Sequence, residues 1–64
     1  MMIILDEDLS KINNGIYNIV KVLGMEMKRA ELEVTVGEDT SIAKITGYWI
    51  NDIIRIDIQF KDSK

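Results

Sequence analysis

The chain has 64 residues, a formal net charge of −3, and no cysteine, histidine or proline. These absences exclude disulfides and the common zinc, haem and iron–sulfur sites, and they remove the usual general base and the thiol nucleophile. A domain this small has a core worth roughly 3–5 kcal/mol, so a partner subunit is the staple left to it.

Residues 1–64 read as a single small domain, since ordinary domains run to about 100–150 residues. Apolar residues make up 47% of the chain and twelve positions are isoleucine, too apolar a balance for intrinsic disorder. The apolar positions are scattered, and no run approaches the ~20 residues of a membrane span. The apolar start runs straight into Asp6, Glu7 and Asp8, unlike a secretory signal. The expectation is an intracellular, cytoplasmic protein with no membrane partner. Residues 1–32 carry five acids and four bases, and residues 33–64 carry six and four. Neither half is a basic patch, so nucleic acid is an unfavoured partner.

Met2, Ile3, Ile4 and Leu5 suit either a short strand or an apolar arm. Leu9, Ile12, Ile16, Ile19, Val20, Leu23, Met27 and Ala30 then recur at spacings of three and four, one face of an amphipathic helix. Asp8 is placed to cap it, Asp6 and Glu7 suit the positive end of its dipole, and Lys28 and Arg29 suit the other end. Asn14-Gly15 is a competing hairpin signal, followed by a β-branched run. The helix is favoured, because the strand alternative leaves neither face polar, and it should end or bend near Gly24.

Ala30, Leu32, Val34 and Val36 alternate with polar residues as in a half-buried strand. Residues 37–40 form a turn, and residues 42–50 a second strand, with Gly47 marking a bulge or a close approach of backbone. Asn51-Asp52 is a tight turn. Ile54, Ile56, Ile58 and Phe60 then alternate with Arg55, Asp57, Gln59 and Lys61 in a third strand, before a short tail. The predicted fold class is α+β in two layers: one N-terminal amphipathic helix on a three-stranded antiparallel meander, with residues 2–5 as a candidate fourth strand.

Few residues suggest chemistry. Asp6, Glu7 and Asp8 lack the spaced, converging oxygens of a hard-cation site, and helix capping accounts for them better. Glu38, Asp39, Thr40 and Ser41 offer an acid beside hydroxyls but no base to activate them. The glycines at 15, 24, 37 and 47 are isolated, so there is no phosphate loop or dinucleotide fingerprint. No catalytic residue, cofactor site or metal site is predicted.

Tyr48 and Trp49 are the most informative pair. Neighbours on a strand point to opposite faces, so one ring enters the core and the other lies outside. The outer ring, with Ile53 beside it, suits a protein interface, a stacked base or simple completion of a thin core. Met25 and Met27 near the helix end suit either an adaptable contact or gap filling. The interface candidates are Tyr48, Trp49, Ile53, Arg55, Met25 and Met27. The run Ile45-Thr46-Gly47-Tyr48-Trp49-Ile50-Asn51-Asp52-Ile53-Ile54-Arg55-Ile56-Asp57-Ile58, after a helix, resembles part of the Sm-like small barrels. That family's RNA-binding signatures are absent, so the resemblance assigns no residue a role.

The function expected is a non-enzymatic protein-binding module that works as a homodimer. Its isoleucine-, asparagine- and lysine-rich composition suits a phage or mobile element, where such a module would modulate or inhibit a host protein. The alternative is a nucleic-acid module stacking bases on Tyr48 or Trp49, with Lys44, Arg55 and Lys61 on phosphates. A third is a tiny enzyme whose carboxylates converge between subunits.

Overall fold

The structure, a computed structural model, describes residues 5–37 and 41–61. One helix, α1 (Asp6–Leu23), precedes three strands, β1 (Arg29–Val36), β2 (Ser41–Ile50) and β3 (Ile53–Lys61). The strands form one antiparallel sheet in the order β1-β2-β3, and α1 packs on it through β1 and β2. This is the α+β, two-layer arrangement that the periodicity predicts. The sheet is open among the described residues, so the likeness to a closed small barrel does not extend to the fold. The candidate fourth strand and the tail fall outside the described residues, apart from Leu5.

The helix starts before Leu9, and its N-cap is Leu5 rather than Asp8. Asp8 sits in the first turn with 2% of its surface exposed. Its Oδ2 accepts from the Leu5 N–H at 2.9 Å and from the Gly37 N–H at 3.0 Å. One carboxylate thus closes the helix N-terminus and ties it to the turn after β1. The Leu5 N–H, then the Gly37 N–H, hold the Asp8 carboxyl below its ordinary value near 3.8, against the opposing effect of burial and with a smaller pull from Lys11.

Folding therefore favours the ionised form of Asp8. That stabilisation is complete above the ordinary carboxylate range and is lost as pH falls through it towards the depressed folded value. The urea midpoint is expected to drop between about pH 6 and about pH 3, and Asp8→Asn to make that drop smaller. A variant with the wild-type slope would assign the acid sensitivity to another group.

Asn14-Gly15 lies inside α1, not in a hairpin. Glycine costs about 1 kcal/mol in a helix. Here the helix lies close on the sheet: a Cβ at Gly15 would stand 2.8 Å from Ile45 Cδ1 and 3.0 Å from Leu32 Cδ2. The helix ends at Leu23 with Gly24 as C-cap, as predicted. Glu26 takes the left-handed backbone (φ 72°) that turns the chain into β1. Met27, Lys28 and Ala30 consequently lie beyond the helix, and Ala30 joins β1.

The core comprises Ile12, Ile19 and Leu23 from α1, Val36 from β1, and Ala43 and Ile45 from β2. At Gly47 the layers approach closely: a Cβ there would run into Ile19 Cγ2 and stand 3.0 Å from Ile56 Cδ1. The β2 register continues unbroken through Gly47, so it marks a close approach and not a bulge. At Asn51-Asp52 the chain reverses in two residues, with Asn51 supplying the positive φ (55°) that primed hairpin turns need.

Candidate interaction face

A sheet of three strands about 4.8 Å apart is wider than the single helix that must cover it. Helix α1 lies over β1 and β2. Lys11 Nζ reaches Thr35 O at 3.4 Å, which places that flank of α1 over β1. Leu9, Ile16 and Val20 lie on the opposite flank, towards β3. On β3 the helix-side row is Ile54, Ile56, Ile58 and Phe60, paired with Trp49, Gly47, Ile45 and Ala43 of β2. Ile54 and Ile56 pack against the core, whereas Ile58 and Phe60 are 38% and 49% exposed. On the helix flank Leu9 and Val20 are exposed as well. The result is an apolar step, with the helix flank as riser and the β3 row as tread.

The sequence-derived candidates divide between two faces and one connection. Trp49 is on the helix side, partly exposed, and its Nε1–H donates to Leu23 O at 3.4 Å. It therefore forms one end of the apolar step. Tyr48 is on the opposite side, where its hydroxyl donates to Asp57 Oδ2 at 2.9 Å. This bond pushes the Tyr48 hydroxyl pKa up, and the bond from Tyr48, then that from Arg55, holds the Asp57 carboxyl down. Arg55 lies on the same outer face, 3.1 Å from Asp57. Ile53, 69% exposed, opens β3 on that face, while Met25 and Met27 are exposed in the connection from α1 to β1. These six residues do not converge on one site.

The outer face carries a shallow hollow bordered by Arg29, Lys44, Tyr48, Arg55 and Asp57. Its three cations share two carboxylates: Arg29 and Lys44 both reach Glu31, at 2.6 and 3.9 Å, and Arg55 reaches Asp57. Carboxylates interleaved at this density oppose a phosphate backbone. Among the described residues no group of three acidic, histidine or cysteine side chains is arranged to hold a metal ion, and no helix is long and apolar enough to cross a membrane. Of the acidic run after Gly37, Glu38, Asp39 and Thr40 lie outside the described residues, and Ser41 is buried.

Leu9 and Val20 lie on the apolar helix face, and Ile58 and Phe60 on the alternating strand row, that the periodicity predicts, yet all four are exposed. The one available signal was the ratio of elements: one helical stripe faces three apolar strand rows. Comparison with protein-family models, curated proteins and solved structures finds no match for this chain.

Proposed function

We propose that this chain is a protein-interaction module whose docking surface is the uncovered β3 half of the sheet together with the adjoining flank of α1. One observation carries this reading: Ile58 and Phe60 continue the core-facing row of β3 past the edge of the helix, where nothing in the described residues covers them. Contiguous apolar surface flanked by polar residues marks interaction sites. Exposed aromatic anchors such as Trp49 and Phe60 are the side chains that dominate binding energy at interfaces. A role as a modulator or inhibitor of another protein would use this same surface.

A photo-reactive phenylalanine analogue at Phe60 tests the reading in cells, with the same analogue at the solvent-facing Tyr17 as control. The expected result is a covalent adduct with a second polypeptide from position 60 and none from position 17. A cross-link from position 60 only to residues 1–4 of its own chain, or no adduct at all, would overturn it.

A further inference from the structure

Beside the exposed apolar row, β3 also presents a backbone edge that is free among the described residues, because the sheet order there leaves it with β2 as its sole neighbour. A two-residue turn makes Ile50 and Ile53 a hydrogen-bonded pair, and the antiparallel ladder then alternates. The Trp49 N–H, which reaches Lys28 O on the β1 side, follows the same alternation. It directs the N–H and C=O groups of Ile54, Ile56, Ile58 and Phe60 away from β2, to the free edge. An edge strand of nine residues without proline is a template for another strand.

We propose that the occupant is a second copy of this chain, joined β3 to β3 in antiparallel fashion about a two-fold axis through Ile56. The inference rests on the reading of the β3 face as a docking surface and names its partner. Charge selects the register. With Ile56 on the axis, Ile54 faces the partner's Ile58, and Arg55 faces the partner's Asp57 twice over. Moving the axis to Asp57 sets two carboxylates opposite each other, and moving it to Ile58 sets Arg55 against the partner's Lys61. Of these three only the first pairs opposite charges, which stabilise cross-strand neighbours where like charges repel; an axis at Gln59 sets Asp57 against the partner's Lys61 but overlaps only residues 57–61 of β3, against 53–59 for the axis at Ile56.

Backbone geometry agrees, since Ile54, Ile56 and Ile58 are the residues whose peptide groups face the edge. The other edge is a poor alternative. On β1, Glu31 and Glu33 stand on the outer face, and a β1 pair centred on Leu32 or Glu33 sets glutamates together. The β3 pairing closes on itself and cannot propagate. Two three-stranded sheets become one of six strands, the helices stay on one face, and the polar outer faces of both helices stay in water.

Arg55 and Asp57 are both exposed, so charge reversal there spares the core. Arg55→Asp and Asp57→Arg are made singly, with far-UV circular dichroism as the folding check and sedimentation as the readout. Each single variant places like charges across the axis twice, and its self-association is expected to weaken about tenfold or more. An equimolar mixture restores both opposite-charge pairs between chains and is expected to associate to within about threefold of wild type. The pair within each chain stays broken in the mixture, so recovery reports contact between copies. Dimeric wild type with undisturbed single variants would overturn this register while leaving the docking surface in place. Monomeric wild type with a Phe60 adduct to a different protein would overturn the second copy as occupant. Monomeric wild type without any adduct would remove both proposals.

Discussion

Replacing Gly47 by valine is expected to remove most of the stability of the protein. The backbone of β2 lies close under α1 at this residue, with Ile19 Cγ2, Ile56 Cδ1 and Leu23 Cδ1 all around the place a Cβ would occupy. Ile19 is β-branched and stiff at χ1, and it is buried in the core, so it cannot swing aside. The helix must lift instead, which separates it from β1 as well as from β2. Overpacking of this kind costs about 3 kcal/mol or more, against a total of roughly 3–5 kcal/mol for a chain of this size. Gly15→Ala is the contrast: its nearest neighbours are the methyl ends of Ile45 and Leu32, which can rotate, and the helix gains about 1 kcal/mol of propensity. Urea unfolding followed by circular dichroism compares the two. Equal midpoints for Gly47→Val and Gly15→Ala would contradict the packing described here.

Ile45→Ala is the second large effect. Ile45 is fully buried on the middle strand, between Leu32 of β1 and Ile58 of β3 and beneath Gly15 of the helix. Removing three carbons there leaves a cavity at a point where all four elements meet, and such truncations cost about 2–5 kcal/mol. With so small a core the expected result is loss of the cooperative unfolding transition. Ile58→Ala, on the neighbouring strand, removes the same atoms from a side chain that is already partly exposed. In the isolated chain its cost is expected to be a fraction of that at Ile45, under about 1 kcal/mol. Comparable losses at the two positions would mean that Ile58 is covered even in a single chain.

Periodicity in the sequence is enough to find the four elements, because each apolar row on a helix or strand repeats at its own spacing. The Asn51-Asp52 turn and the helix end at Gly24 follow from backbone preference alone. Asp8 was different. As a residue type it suits an N-cap, but its second donor, the Gly37 N–H, comes from a turn 29 residues further along, and a local pattern does not contain that contact. Asn14-Gly15 gave a genuine hairpin signal that the close approach of Ile45 and Leu32 overrides. The interaction face shows the same separation of local from global. Alternation places Ile58 and Phe60 on the core side of β3, yet it says nothing about whether a layer lies above them. The answer depends on the width of a helix against that of three strands, which is a property of the assembled sheet. Alternation sends Tyr48 and Trp49 to opposite faces, and the exposed apolar step takes Trp49 at one end and is otherwise built of aliphatic residues and one phenylalanine.

Amide hydrogen exchange on the wild-type protein at assembly concentrations reaches the central claim most directly. If β3 is a docking edge filled by another chain, the N–H groups of Ile54, Ile56 and Ile58 should exchange as slowly as those of Ala43 and Ile45 in the middle of β2. They should speed up on dilution while the β2 amides remain protected. Exchange at the rate of an open strand edge, at every concentration and with its native partners present, would contradict the account.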